Sequence, residues 1–531
     1  MKKILSLILV VAMLATTICG LVSCGGGGDN SGNGGDEINM NLDLSQKPAL
    51  NVLMPNSGFS IDAVNSNVNA TLIEQLTGYK VNYTQLPAAD ASKTLLNELM
   101  DKKQYDAMKL TKDQFSDLVS QDLLVDLTDA LSVYAPDILA NISDESWDVV
   151  TVNGRIYGIP ERASSDNIEN PIILNYDLML QLNLDMPETL DDFTAVLKAM
   201  TEYLGKPALT FDKYTPLVHA ISAAFGIYSY WQEYEVNGKT EVLFYMNAPR
   251  YNEYVEYMHS LYTLGYIDVE VPTLTSADAI TRFVNGFKTN AGGAKAGAIA
   301  TSLWSVSSIV TGLNSNGVIS ANEAKGTLDN YLGYVRALKQ NANDPEYVYR
   351  SSGYTYITAI PFYMAENAGY ALDWMNSKIK DTETEDNFRQ IVLGTEGVHW
   401  NYSASEGYIP IDPTFTADKD QASYYMTGSN ENKYTEYWKA RVRKQPELYR
   451  AWSELMDNAD AVGVYNIVDF TPPIKEYNEN RAGMEEYAQD QFFIMIKEGT
   501  ANLASYLEKL NGLQGGSEAT EAINQWYNSA K

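Results

Sequence analysis

Three histidines, His219, His259 and His399, are the whole supply of imidazole in a chain of 531 residues. An enzyme doing acid-base work near neutrality draws first on this side chain, whose charge changes between pH 5 and 8. His219 stands in a small-residue apolar run and His259 on an amphipathic helical pattern, where imidazole reads as packing. His399 stands in a loop between Val398 and Trp400, where it can reach a ligand. No pair of them has metal-ligand spacing, and the two cysteines both fall in the first 24 residues, so no zinc site is expected. The chain contains no G-x-S-x-G elbow, no phosphate-cradling glycine loop after a strand, and no EF-hand loop for calcium. No cofactor is expected. The 68 carboxylates can supply the Asp/Glu pair of a glycoside hydrolase, but none stands in a recognisable acid-base context. A formal net charge of -30 would repel a phosphate backbone, which argues against a nucleic-acid partner. The 37 tyrosines and 8 tryptophans offer rings that stack on sugars or peptides, and core packing can use the same rings.

A chain of this length exceeds one hydrophobic core, so at least two lobes must position these groups. Its start carries a separate message. Lys2 and Lys3 precede an apolar run from Ile4 to Ile18, and Leu21-Val22-Ser23-Cys24 follows. That tetrad matches the lipobox of bacterial lipoproteins, which predicts a signal peptide over 1–23 and an acylated Cys24. Cys19 lies inside the leader, leaving no internal disulfide in the exported chain. From 24 to 47 the composition is largely Gly, Asn, Asp and Ser, a tether with little to bury. Beyond the leader no segment approaches 18 uninterrupted apolar residues, so no spanning helix is expected.

From Ala49 onward, strands and helices alternate. Ala49 to Met54 reads as a strand, and Val64, Val68, Leu72 and Leu76 read as a helix face stopped by Gly78. Tyr79 to Leu86 and Tyr105 to Leu110 read as further strands, with a helix through Leu95, Leu96 and Leu99 between them. Such alternation predicts a largely parallel sheet covered on both faces. Asn153-Gly154 marks a hairpin running into Ile156 to Ile159, closed by Pro160. Pro171 to Tyr176 is too apolar for a one-sided sheet, and Thr189 with Asp192 caps a helix whose face is Leu190, Phe193, Leu197 and Met200. Pro216 to Trp231 reads as a buried helix breaking at Gly226, and Asn237-Gly238 as a hairpin turn. Ala296 to Thr301 and Tyr354 to Pro361 read as strands, and Leu503 to Trp526 as a helical hairpin around Gly515-Gly516.

The segments GRIYGIP (154–160), NYDL (175–178) and PETLDDF (187–193), in that order, resemble the crossover between lobes in extracellular solute-binding proteins of ABC importers. GAIATSLW (297–304) resembles their strand ending in a cleft-facing tryptophan, one residue short of the family spacing. GTEGVHW (394–400) resembles the signature of the LplA-like lipoprotein branch. In the G-L-L-x-D-L exit the family glycine is replaced by Asp122. The resemblance implies an α/β, two-lobed periplasmic-binding-protein-like fold of type II, each lobe a mixed, mainly parallel sheet flanked by helices, with extra C-terminal helices. It places lobe one at 48–169 and 354–450, lobe two at 170–353, and a C-terminal helical segment packing on the lobes at 451–531.

The same resemblance makes Trp304 the leading ligand contact, with Trp231 and Tyr228 on the lobe-two wall. Glu161 and Arg162 follow the hinge hairpin and can hydrogen-bond hydroxyls or a carboxylate; Trp400 and Tyr408 flank the glycine-rich loop. Lys109, Thr111 and Asn56 are candidates because they end parallel strands, where ligands sit in open α/β sheets. The implied function is a lipid-anchored, monomeric, non-catalytic binding protein on the outer face of the cell membrane, delivering a carbohydrate, an oligosaccharide, to ABC permease subunits. The alternatives are an anchored glycoside hydrolase, a binder of peptides on the same fold, and a sugar-capturing lipoprotein serving something other than an ABC permease.

Overall fold

The apolar run Leu50–Met54 forms β1, with four of its five residues buried. The computed structural model describes residues 37–530 apart from 163–166, 169 and 289–291; the leader, Cys24 and the tether as far as Asp36 lie outside the described residues. After β1 the helix Val68–Thr77 starts on Asn67, whose side chain accepts from the Asn69 amide, and stops at Gly78 with φ +76°. Its inner face is Asn69, Ile73 and Thr77, one position away from the expected Val68, Leu72 and Leu76. The reason is local: Ser66 ends a separate short helix, Ile61–Asn65, that holds Val64, and the Asn67 cap resets the register. Asn69 tolerates burial because its amide donates to Asn67 and to the Asp418 carbonyl.

β2 (Val81–Gln85) and β3 (Ala107–Leu110) lie on either side of β1, both parallel to it. The hairpin of β4 (Thr151–Val152) and β5 (Arg155–Ile156) turns through Asn153 and Gly154, at φ +53° and +76°. Both positive values suit a two-residue hairpin turn. Pro160 does not close the following run: β6 (Ile159–Arg162) passes through it. β6 is the edge strand of its sheet, where a missing N–H costs no ladder bond.

β7 (Ile172–Asn175) is buried at every residue, as its composition predicts. The helix Leu190–Leu204 follows with a full capping box between Thr189 and Asp192, and buries Leu190, Phe193, Leu197 and Met200 along with Val196. After β8 (Leu209–Thr210), only His219–Ser222 and Ala223–Phe225 of the expected long helix are helical, ended by Gly226 at φ +73°. Trp231 opens β9 (Trp231–Val236), which pairs with β10 (Lys239–Phe244) around Asn237-Gly238. β11 (Ala298–Ala300) and β12 (Leu332–Val335) flank β7, giving the order β12-β7-β11-β8.

The chain then passes through β13 (Val348–Arg350) into β14 (Tyr354–Ala359), completing the order β2-β1-β3-β14-β6. β14 is antiparallel to β3 and β6, and β7 is antiparallel to β11 and β12. Each sheet therefore has one strand against the rest, and it is the strand by which the chain arrives from the other lobe. A hairpin of β15 (Trp400–Ser403) and β16 (Gly407–Pro410), the helices Glu431–Arg443 and Pro446–Leu455, and β17 (Gly463–Tyr465) beside β13 follow. The final helices close on the second lobe, where Phe492 stacks on Tyr254 at 5.9 Å.

Strand alternation divides the core. Ile173 and Ile299 face one apolar cluster that also holds the first sheet, whereas Ile172, Leu174 and Ala298 face another that holds the C-terminal helices. The result is the two-lobed α/β fold with extra C-terminal helices. No helix among the described residues is long and apolar enough to cross a membrane.

Candidate functional site

β8 and β11 are parallel neighbours, so their C-terminal ends open onto the same rim of the second sheet. Ligands of open α/β sheets sit at such ends. Beyond them lies a cavity of about 210 Å³ whose lining includes Asn170, Asp212, Tyr214, His219, Tyr230 and Thr301. Asp212 follows β8 and turns the chain with one oxygen, Oδ1, which accepts from the Tyr214 amide and the Thr215 hydroxyl, each at 2.9 Å. Thr301 shares a hydrogen bond of 2.9 Å with Ser305, and Ser302 accepts from the Trp304 amide.

His219 is buried, stacked on Tyr349 at 4.4 Å and edge-on to Tyr230 at 5.3 Å. Burial pulls its pKa down to about 3, so the ring is neutral at physiological pH. Nδ1 lies 3.5 Å from the Asn170 amide nitrogen, a contact that suits the tautomer with its proton on Nε2. Nε2 has no hydrogen-bond partner among the described residues. A buried donor without an acceptor is costly, and a ligand oxygen in the cavity would relieve it.

Trp304 ends the strand segment on the same rim and is 38% exposed. Its ring meets Trp438 edge-on at 5.3 Å, Trp438 lies 5.8 Å from Trp452, and Trp452 stacks on Tyr449. These rings run from the second lobe onto the helices Glu431–Arg443 and Pro446–Leu455, with Trp438 and Trp452 buried and Trp304 the exposed end of the row.

The other residues singled out in the sequence take different places. Lys109 and Glu161 form a buried ion pair, with Nζ at 2.8 and 3.0 Å from the two carboxylate oxygens. Lys109 also donates to the carbonyls of Ser423, Tyr424 and Met426, so the pair pins that segment inside lobe one and is spent on structure. Arg162 donates from Nε to the Ser352 carbonyl and lies over Tyr354 at 5.3 Å, tying together the two segments that connect the lobes, the one leaving β6 toward β7 and the one entering β14. Thr111 caps the helix Lys112–Ser120, and Asn56 braces its own loop through Gly58 and Leu86; both are exposed at strand ends. Tyr228 is half-buried against Tyr347 at 5.2 Å. Trp231 is 1% exposed and packed on Phe244 and Tyr477, so it is core of lobe two rather than wall, because β9 turns it inward. Trp400 is buried and donates to the Gly394 carbonyl, with Tyr408 half-buried between Trp400 and Tyr437. His399 is held by the Thr395 amide and Asp418.

Sequence reasoning passed over Asn170, Asp212, Tyr214, Tyr230, Trp438 and Trp452. Two of them carried a signal: Asp212 and Tyr214 closely follow an apolar strand end, the position used to choose Asn56 and Thr111. A wider groove of about 940 Å³ lies between 324–327 and the corner of the two helices at 443–446. Three of its cations are engaged: Arg443 with the Tyr408 carbonyl and the Tyr449 hydroxyl, Lys444 with Asp420, and Arg450 with Glu447 and Glu454. No group of three or more His, Cys, Asp or Glu able to hold a metal exists among the described residues.

Neutral imidazole, amide, hydroxyls, one carboxylate and aromatic rings at the strand ends of a two-lobed fold define a protein that holds a solute. Residues 70–342 match the family of bacterial extracellular solute-binding proteins, and the chain belongs to that family. A protein of Niallia circulans, uncharacterised and encoded in the butB 5′ region, is 29% identical over 281 residues, which is 52% of this chain and all of that one. Among solved structures, a human-milk-oligosaccharide-binding, ABC-transporter-associated solute-binding protein of Bifidobacterium longum infantis shares 17% identity. It superposes with a TM-score of 0.63 over 91% of this chain and 99% of its own. The Streptococcus pneumoniae ABC-transporter substrate-binding protein FusA, in complex with kestose, gives 16% identity and a TM-score of 0.63 with the same coverage. The alginate-binding protein AlgQ2, without calcium ion, gives 16% and 0.64, again over 91% of this chain and 99% of its own. At these identities the likeness is one of fold.

Proposed function

We propose that the protein is the lipid-anchored substrate-binding component of an ABC importer, and that it captures an oligosaccharide between its lobes without altering it. The observation that carries this reading is the rim of the second sheet. There the unfilled Nε2 of His219, the hydroxyls and amide around it, and the half-exposed ring of Trp304 combine polar groups with flat apolar faces. That combination suits a hydroxyl-rich, ring-shaped solute. The proteins of similar fold named above bind human milk oligosaccharides, kestose and alginate, which supports the carbohydrate class. Cys24 after Leu21-Val22-Ser23 supplies the acylation site, which would hold a monomer on the outer face of the membrane within reach of its permease. Closure about the two connecting segments then presents the loaded form to the transmembrane subunits.

Isothermal titration of the full-length protein in detergent against an oligosaccharide panel, with peptides as controls, tests the ligand class. Binding of peptides alone would overturn the carbohydrate assignment. Incubation with the bound oligosaccharides should release no new reducing ends; steady release lost on replacing one carboxylate would establish a hydrolase instead. Palmitate incorporation that survives Cys24→Ala would refute the anchor.

A further inference from the structure

The rim cavity adjoins a second one of about 280 Å³, and the two share Tyr214 and Tyr230 in their linings. Both are below the ~300 Å³ at which pockets for drug-sized ligands begin, so each accommodates a ring-sized unit rather than a whole chain of sugars. The charge of their walls is one-sided. Asp212 lines the first and Glu485 the second, and among the described residues no lysine or arginine lines either. His219, the remaining ionisable nitrogen, is neutral by burial. Two cations lie nearby without being part of the lining. Lys213 has its ammonium 4.9 Å over the Tyr214 ring, and Arg481 lies 3.6 Å from Glu485 while also paired with Asp113. The hydroxyl of Tyr230 registers the excess: burial chiefly, then the charges of Glu485 and Asp212, push its pKa up to about 12. Oδ2 of Asp212 has no hydrogen-bond partner among the described residues, whereas Oδ1 is occupied by the turn.

Recognition of a carboxylate-bearing sugar relies on arginine or lysine, whose charge-assisted hydrogen bonds offset removal of the anion from water. Here a ligand carboxylate would meet like charge instead. We infer that the lobe-two cavity takes an uncharged sugar unit and rejects a uronate or other carboxylate-bearing unit, with Asp212 and Glu485 as the rejecting groups. Specificity of this kind rests on the repulsive element as much as on the attractive ones. Ligand hydroxyls in the cavity can donate to Asp212 Oδ2 and accept from His219 Nε2–H. The inference rests on the carbohydrate reading proposed above.

Titration of the full-length protein in detergent with two matched panels tests it. One panel holds neutral tetrasaccharides of glucan, mannan, xylan, galactan and fructan; the other holds tetramannuronate, tetraguluronate and tetragalacturonate. At least one neutral tetrasaccharide is expected to bind at least tenfold more tightly than every acidic one. An acidic oligomer binding as tightly as the best neutral one overturns the inference while leaving the carbohydrate reading intact. Failure of every sugar, with peptides bound, overturns both. The double variant Asp212→Asn/Glu485→Gln keeps Oδ1 as acceptor for the turn and removes both charges. It should narrow the neutral-to-acidic affinity ratio by about tenfold or more, the size expected for lost repulsion near a protein surface. An unchanged ratio in a variant of unchanged melting temperature removes these two residues as the rejecting groups.

Discussion

The indole Nε1 of Trp452 donates to Oδ1 of Asn167 across 2.8 Å, with both side chains buried. The Asn167 carbonyl accepts from the amide of Ser351, also at 2.8 Å. One residue of the first connecting segment thus holds the second connecting segment and the helix Pro446–Leu455. Asn167→Ala would leave a buried indole N–H unpaired, at a cost of about 1–3 kcal/mol. The urea midpoint should fall accordingly, and the double variant with Trp452→Phe should recover part of the loss. Strict additivity of the two substitutions would mean the bond is not the source of the effect.

Lys109 and Glu161 form the other buried link, each at about 1% exposure. Burial drives Lys109 toward its neutral form and Glu161 toward its protonated form, while their mutual attraction opposes both shifts. Lys109→Met leaves a carboxylate in the core and should cost about 3–5 kcal/mol, whereas Lys109→Met combined with Glu161→Leu should cost less than the single change. Denaturant titration of the three proteins decides. A double variant less stable than the single one would show that the carbonyls of 423–426, rather than Glu161, are the essential partners of Lys109.

His219 predicts an acid sensitivity. Its folded pKa of about 3 lies below the ordinary 6.5, so between these values the folded chain binds fewer protons than the unfolded one. Stability from this group is complete above pH 6.5 and is lost as pH falls. At pH 4.5, two units below 6.5 at about 1.4 kcal/mol per unit, the loss is on the order of 3 kcal/mol. His219→Gln should flatten the stability profile between pH 7 and 4.5 by that amount, read from urea unfolding at each pH. An identical slope in the variant would place the proton uptake elsewhere.

Trp304 separates binding from packing. Because its ring is 38% exposed and meets Trp438 edge-on, Trp304→Ala should change stability by about 1 kcal/mol or less. Affinity for the oligosaccharide that binds best should drop about tenfold or more, the loss typical of a central aromatic contact. Calorimetric titration beside thermal melting checks both. A large fall in melting temperature with unchanged affinity would reassign the ring to the core.

What the sequence determined by itself was local. The Thr189–Asp192 capping box, the Asn153-Gly154 and Asn237-Gly238 turns, and the Gly78 stop depend on hydrogen bonds and backbone preferences within about four residues, and all are present. The arrival strands were legible too, β7 through its uniform apolarity and its place among the crossover segments, and β14 as the strand expected from Tyr354 to Pro361. What only the tertiary structure decided was which side chains meet. Lys109 at a strand end and Glu161 after the hinge hairpin read as free polar groups until residues more than 300 positions beyond the lysine, Ser423 to Met426, close over it. Asn167 finds Trp452 285 positions on, and Trp231 turns inward through a strand rather than outward through a helix. The cavity of His219 needs β8, β11 and the connecting segment at Asn170 together. Burial and pairing are properties of distant segments packed in register, so residue type and spacing announce them only after the fold has brought those segments together.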